Sequence, residues 1–410
     1  MNTLDTIIDR SKTPSAKYNK TLISSFANNE DARPYWVADM DFRSPQPVLD
    51  AIKKELDDGI LGYPSFNDTK RIFTSFALKR HNWEIDPSLV VISPGLLASV
   101  ALLIELYSEE GDTVILPFPS YKPFVSILEG LNRTIIPWNL PFDRSSSSFH
   151  VDMDSLERLC AQHDPSILLF CSPHNPTGIV FSRQQIFKIA TIAKEHDMMV
   201  ISDEIHADLV YPDVVHTPFN TVSKEIDLRC ATCMAPSKTF NIAGEHFSVI
   251  VCSSVEMRRK VSRRQQSLHI AADLLATVSA RAAYQHGSVW LDQVLIYLQH
   301  NIEVIRSTLK QNGSAISLVV PSASFIAFLD CSAIYDKVAL DALNHPDIYK
   351  DRGDGGLLSR FFGVYGNVAM NDGTWFGDGY EKFVRFNFAC PSEKVIEGIN
   401  GICTAERSLS

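Results

Sequence analysis

Lys238 stands in "CMAPSKTFNIAGEHF", residues 233–247, behind an apolar run, small residues and a proline, with Gly244 six positions on. A solvated lysine needs no such setting. A lysine that forms a Schiff base does, because its amine must be held rigidly and partly desolvated. Other polar residues also follow apolar runs. Asn175 comes in "SPHNPTG" after "SILLFC", and Asp203 and His206 come in "DEIH" after "MMVIS". Tyr121 comes in "FPSYKPF" after "DTVILP", and Gly95 opens "GLLAS" after "LVVIS" and a proline. Each has a plain alternative. A lone lysine is usually a surface group, an aspartate at a strand end is often a helix N-cap, and Asn-Pro-Thr-Gly is a good turn. Gly95 could only permit a tight connection, and Tyr121 could be core. Turns alone do not explain why all five fall at successive strand ends.

The elements that position them can be read from hydrophobic period. "SILLFC", residues 166–171, is a continuous apolar run of the kind that makes a buried parallel strand. "SRQQIFKIATIAKEH" reads as a helix, with Ser182 and Gln185 in capping-box spacing and Ile186, Ala190 and Ala193 on one face. "MMVIS", "RCATCM" and "FSVIVC" read as further strands, while "LVVIS" and "DTVILP" flank the helix "LLASVALLIELY". This alternation predicts an α/β domain, residues 50–289, with a mainly parallel sheet and helices on both faces. From residue 290 a long helical stretch leads into the shorter strands "SFIAFLD" and "KFVRFNF", which predicts a smaller α+β domain.

Ligands of open α/β sheets bind beyond the carboxyl ends of the strands. One cofactor uses this whole rim. Pyridoxal 5'-phosphate needs an amine for its aldehyde, an anion against its pyridinium nitrogen, a donor to its phenolate oxygen, a ring to stack on and a phosphate cradle. Lys238, Asp203, Asn175 and Tyr121 would supply the first four. The backbone N–H groups of Gly95, Leu96 and Leu97, at a helix N-terminus, would supply the cradle.

Composition sets wide bounds. The 410 residues allow more than one domain, and charged residues make up 21%. The net charge of −10 and the lack of a basic run argue against a nucleic-acid partner. No apolar run has the length of a membrane span or of a signal-peptide core, and "ERSLS" is not a peroxisomal address. Eight cysteines follow no disulfide pattern, and "CATC", residues 230–233, reads as buried reduced thiols within a strand, so a cytoplasmic location is expected. "KDRGDGGLLS", residues 350–359, reads as a glycine-rich loop whose aspartates lack calcium-loop spacing.

With "SPHNPTG", "SDEIHADL" and "SKTFNIAG" in place, the sequence resembles the fold-type I pyridoxal-phosphate enzymes of the class I/II aminotransferase superfamily. Within that superfamily it is most similar to the MalY/PatB-like cystathionine β-lyase (carbon–sulfur lyase) group. "WVADMDF", "LGYPS", "HNWEIDPSLVVISPG", "GTWFGDGYEKFVRFNFACP" and the histidine of "DEIH" carry that likeness, which runs from about residue 20 to 400. The resemblance implies the PLP-dependent transferase-like fold, with residues 1–49 joining 290–410 in the small domain. It also implies a homodimer with the active site at the interface. Tyr63 would reach the neighbouring subunit's phosphate, and Ser237 and His206 would join the cofactor's contacts. Arg385 would grip the substrate α-carboxylate bidentately, beside Asn175. Trp36, at the mouth, either shapes the substrate pocket or only packs there. One departure concerns the phosphate. Ordinary aminotransferases carry an arginine eight residues after the lysine, where this chain has His246, preceded by Glu245.

The activity implied is β-elimination on L-cystathionine or a related cysteine S-conjugate, possible biosynthetic intermediates included, giving a thiol, pyruvate and ammonia. Lys238 would take the Cα proton, for which its pKa must fall well below ~10.4. Tyr121 would assist at the leaving sulfur or only stack. An aminotransferase is the alternative, since it shares nearly every residue named. A regulatory protein that merely keeps the fold would not need Lys238, Asp203, Asn175 and Arg385 together.

Overall fold

The computed structural model describes residues 3–350, 353 and 355–409. Two sheets organise it. The larger has seven strands: β1 (Val90–Ser93), β2 (Thr113–Phe118), β3 (Thr134–Asn139), β4 (Ile167–Cys171), β5 (Met199–Asp203), β6 (Cys230–Met234) and β7 (Ser248–Cys252), in the order β1-β7-β6-β5-β4-β2-β3. Neighbouring pairs from β6 to β3 are parallel, and only β7 runs against its neighbours β1 and β6. The continuous apolar runs have the expected cause: all residues of β4, β5, β6 and β7 are buried, because helices cover both faces. One buried layer packs Val100 and Leu103 against Leu169 and Ile201, and another packs Ile186 and Ile189 against Leu168 and Val200.

The second sheet has four strands: β8 (Ser317–Leu318), β9 (Ile326–Asp330), β10 (Asn371–Asp372) and β11 (Phe383–Asn387), ordered β8-β9-β11-β10 and antiparallel throughout. The helices α1 (Leu96–Tyr107), α2 (Lys122–Gly130), α3 (Arg183–Glu195), α4 (Ser288–Gln311) and α5 (Ser392–Arg407) are those that matter most below. α3 starts on the expected capping box, with both reciprocal bonds present. α4 is the predicted long helix, and its Asn301 side chain holds the carbonyls of Phe388 and Cys390, each at 2.9 Å, fixing the chain just beyond β11. No helix among the described residues is long and apolar enough to cross a membrane. All eight cysteines are buried free thiols.

The predicted glycine-rich loop is shorter than the sequence suggests. Its last residues, Leu357–Ser359, already belong to the helix Leu357–Gly366, where the Ser359 N–H meets Asp372 Oδ2 at 2.9 Å. Helical hydrogen bonding and this carboxylate outweigh the local glycines. Asp351 and Asp354 of that loop lie outside the described residues.

The turn after β4 is held both by its own backbone and by the distant segment around Ser322. Gly178 N donates to His174 O at 2.8 Å, and Ser322 N donates to Gly178 O at 3.0 Å. Gly178 has φ +71°, and a Cβ there would come within 2.4 Å of Pro321 Cβ. Gly178→Ala is therefore both strained and overpacked, and is expected to lower stability by about 1–3 kcal/mol, read as a lower urea midpoint with unchanged slope.

Candidate active site

The carboxyl ends of the parallel strands open on a cavity of about 250 Å³. Lys238, Asp203, Asn175, His206, Tyr121 and Ser237 all line it, with Gly95, Leu96 and Leu97 along one side. A second cavity, about 740 Å³, adjoins it and shares Ala38, Leu97, Tyr121 and Lys238; Trp36 and Arg385 line that one. Eleven of the twelve residues singled out in the sequence are thus brought together. Tyr63 is the exception. It is fully exposed, in a segment of irregular backbone, and lines neither cavity.

Lys238 sits in a single helical turn, Pro236–Thr239, directly after β6. Two side chains fix this turn. Thr239 Oγ1 donates to Asp208 Oδ2 at 2.7 Å, and Asn241 Nδ2 donates to the carbonyls of Met40 and Phe42 at 3.0 and 2.7 Å. Lys238 Nζ donates to Ala38 O at 2.5 Å. Burial disfavours its ammonium form and brings it down to about 8, against opposing attraction from Asp39. A fraction of the amine is then neutral near neutral pH, as a nucleophile or base must be.

Asp203 is the last residue of β5 rather than the first beyond it. Its Oδ1 accepts from Ile205 N at 2.9 Å, and no other hydrogen bond to its carboxylate exists among the described residues. Burial raises it to about 7. The next residue, Glu204, occupies the other face of the strand and is fully partnered: Ser202 Oγ at 2.9 Å, Phe219 N at 2.8 Å and His216 Nε2 at 2.8 Å. Two adjacent acids thus differ. One is saturated by protein, and the other is left facing the cavity.

Asn175 Oδ1 accepts from Arg385 Nη1 at 3.2 Å, which leaves its amide N–H groups without a protein acceptor among the described residues. His206 is buried, bonded through Nδ1 to Ser324 Oγ at 3.1 Å, and burial lowers it to about 3, so it is a neutral imidazole. Tyr121 is raised by burial, partly offset by Arg385, and keeps its phenolic proton. Gly95 has φ +97° and precedes α1, whose first N–H groups have no intrahelical acceptor. A Cβ at Gly95 would come within 3.4 Å of His246 Nδ1, so His246, at φ 38°, lies against the mouth of this cradle.

Arg385 is buried on β11. Its Nη2 holds Trp36 O at 2.9 Å and Asn371 Oδ1 at 2.8 Å, and its Nε has no partner among the described residues. The guanidinium lies 5.1 Å over the Phe376 ring, and burial pushes it down to about 10. No carboxylate pairs with it among the described residues, so its charge is held by amides, a carbonyl and an aromatic face alone.

These residues fit pyridoxal phosphate. The uncompensated Asp203 suits a ring N–H⁺, the open Asn175 amide suits a phenolate, and the free N–H groups of α1 suit a phosphate. Ser237 and Lys238 complete the wall. Sequence reading missed the strap that joins the two sheets. Asn387 Nδ2 holds the carbonyls of Val37 and Asp39 at 2.6 and 2.7 Å. Behind it, Arg10 meets Asp39 and Asp41 at 2.6 and 2.8 Å, and buried Lys17 meets Asp41 at 3.2 Å. It also missed Asn371, Trp375 and Phe376, which line the outer cavity. The quoted "GTWFGDGY" contains two of them, and aromatic residues among glycines were the available signal.

The model for aminotransferases of class I and II matches residues 37–402. Among curated proteins, the chain is 33% identical to cystathionine β-lyase PatB of Bacillus subtilis, over 97% of this chain and 98% of that one. Among solved structures, cystalysin of Treponema denticola, which contains a pyridoxal 5'-phosphate cofactor, superposes with a TM-score of 0.89 at 27% identity, covering 99% of each chain. The pyridoxal-phosphate-bound carbon–sulfur lyase of Staphylococcus hominis superposes with a TM-score of 0.86 at 28% identity, covering 98% of this chain and 97% of that one.

Asp203 gives a test of the site's electrostatics. Between the ordinary carboxylate range and about 7, the folded cofactor-free protein keeps a proton that the unfolded chain has released, so stability falls as pH rises through that window. Asp203→Asn removes the penalty. Calorimetry of cofactor-free protein should find Asp203→Asn more stable than wild type at pH 8 by on the order of 2–4 kcal/mol, with the gap narrowing as pH falls and closing only near pH ~4, the ordinary carboxylate range.

Proposed function

The chain belongs to the aminotransferase class I and II family, and from that footing we propose that it is a pyridoxal-phosphate-dependent carbon–sulfur β-lyase. It cleaves L-cystathionine or another cysteine S-conjugate to a thiol, pyruvate and ammonia. The observation that carries this is the pair of joined cavities, with Lys238 common to both, Asp203 deep in one and Arg385 in the other. End-to-end similarity to proteins named as cystathionine β-lyases supports the same reaction.

Each residue's part follows from its setting. Pyridoxal phosphate, when bound, supplies an electron sink that lets the substrate's Cα–H bond and then its Cβ–S bond break. Lys238 would hold the cofactor through Nζ, and the same nitrogen would accept the Cα proton. Asp203 would keep a proton on the ring nitrogen, Asn175 would donate to the phenolate oxygen, and Tyr121 would stack on the ring. Gly95, Leu96 and Leu97 would hold the phosphate through their N–H groups, with Ser237 and His206 completing the contacts. Arg385 takes the α-carboxylate, exchanging its bonds to Trp36 O and Asn371 for a bidentate pair. Tyr121 lines both cavities and keeps its phenolic proton, which supports a part for it at the departing sulfur or against the ring.

The domain division at residues 50–289, with 1–49 and 290–410 as the smaller unit, belongs to this reading. So does a homodimer in which Tyr63 serves the neighbouring site. Ile60, Leu61 and Tyr63 are all exposed apolar or aromatic side chains in one short stretch, which supports burial against a second copy. Eight unpaired buried thiols support a reducing, cytoplasmic setting.

The reading is tested by incubating cofactor-loaded protein with L-cystathionine and no keto acid. Sustained pyruvate release is expected. A single turnover that only a keto acid restarts would make the protein an aminotransferase instead. Lys238→Ala should abolish pyruvate release. Arg385→Lys keeps the charge but loses the fork, and should lower kcat/KM about tenfold or more, equivalent to at least about 1.4 kcal/mol.

A further inference from the structure

Lys238 has two tasks on the reading above: Nζ holds the cofactor, and Nζ takes the Cα proton. The side chain must therefore move while its backbone stays still. The turn that carries it, Pro236–Thr239, has four residues. A single turn is too short to be stable as a helix by itself, so its place is set by what grips it from outside. One grip is Asn241 on the carbonyls of Met40 and Phe42. The second runs through Thr239, next to the lysine in the chain.

Thr239 is wholly buried, and its bond to Asp208 is the first link of a longer series. Asp208 Oδ1 meets His81 Nε2 at 2.7 Å, and each of these side chains is only 3% exposed. His81 is the last residue of the helix Asn67–His81. The preceding Arg80 donates to Asp208 O at 3.4 Å and to Asp292 of α4 at 2.6 Å. The His81 ring meets the His216 ring edge to face at 5.6 Å and 79°. His216 bonds Glu204, the neighbour of Asp203, at 2.8 Å, again wholly buried. One acid–histidine pair thus stands one residue from Asp203, the other holds the hydroxyl one residue from Lys238, and the two imidazoles touch.

Burial works to raise Asp208, but His81, Thr239 and Arg80 outweigh it and hold the carboxylate below its ordinary range. One of its oxygens is taken by the imidazole and the other by the hydroxyl, and satisfied buried networks of this kind are rigid. Neither pair lines the two cavities. Any part they play in the reaction is through Lys238 and Asp203.

We propose that Asp208, backed by His81, is a positioning residue for the reaction: it holds Thr239 so that Lys238 Nζ meets the Cα proton at a productive distance and angle. Misplacing a reacting group by about 1 Å costs on the order of 10²-fold in rate. The tether therefore acts on kcat and leaves the grip of Arg385 on the substrate as it is. The proposal rests on the reading of Lys238 as the base, which a lyase and an aminotransferase share.

The test uses the holoenzyme and three variants. Thr239→Val removes the hydroxyl at nearly the same shape, Thr239→Ser keeps it, and Asp208→Asn removes the charge. Pyruvate release from L-cystathionine gives kcat and KM, and loss of the α-proton signal of L-alanine in deuterium oxide reports proton removal alone. Thr239→Val and Asp208→Asn should lower both rates about tenfold or more, with KM and the Kd of pyridoxal phosphate within about twofold of wild type. Thr239→Ser should keep most of both rates. Unchanged rates in Thr239→Val, a loss matched by equally weakened cofactor binding, or no rescue by Thr239→Ser would overturn the proposal. If Asp208→Asn does not fold, the two Thr239 variants decide. Proton exchange without pyruvate would end the lyase reading and leave this comparison intact. A wild type that does neither overturns both, because Lys238 is then no base.

Discussion

The backbone of residues 36–40 is the constraint on which the site depends. It forms no helix or strand of its own, yet its carbonyls are claimed in turn by Arg385, Asn387, Lys238 and Asn241. Buried peptide groups must find partners, and here the partners are side chains of β11 and of the segment that follows β6. The strap cannot shift without stranding several of them at once. Its outer side is pinned by Arg10 and Lys17 on Asp39 and Asp41. Burial works to raise Asp41, but Lys17, Lys394 and Arg10 outweigh it and hold the carboxylate below its ordinary range.

Against that saturated frame, the groups that face the cavities are left short of partners. Lys238 is content with one carbonyl, Asp203 with one peptide N–H, and Arg385 has amides and a carbonyl but no anion. All three are shifted toward neutrality by burial. Such arrangements are costly in a folding sense and useful in a binding sense, because the ligands that repay them are charged in complementary ways. The contrast between Asp203 and Glu204 shows that the frame can saturate an acid when it has no ligand to meet.

Much of this was legible in the sequence because buried parallel strands are uninterrupted apolar runs, so whatever follows them is visible. Lys238, Asp203, Asn175, Tyr121 and Gly95 could each be placed by that rule. The strand direction of β7 could not, since an apolar run carries no sign of which way it points. The helix start at Leu357 was hidden by glycines whose local preference is overridden by Asp372. Residues 36–40 were legible only as a likeness, because their order comes from side chains more than 150 residues away, and no local period reports it. Trp375 lies within the quoted "GTWFGDGY", but its contact with Trp36 joins residues more than 300 positions apart and no local pattern reports it.

The bond from Arg385 to the carbonyl of Trp36 spans 349 residues. A chain synthesised from its N-terminus exposes the strap long before its clamp. At about 10 residues per second, roughly half a minute separates the two. The seven-stranded sheet, complete by Cys252, can form in that interval, but the cavity rim cannot close. Competence for chemistry therefore waits on β11 and not on the seven-stranded sheet, because Arg385 must arrive before the strap is clamped.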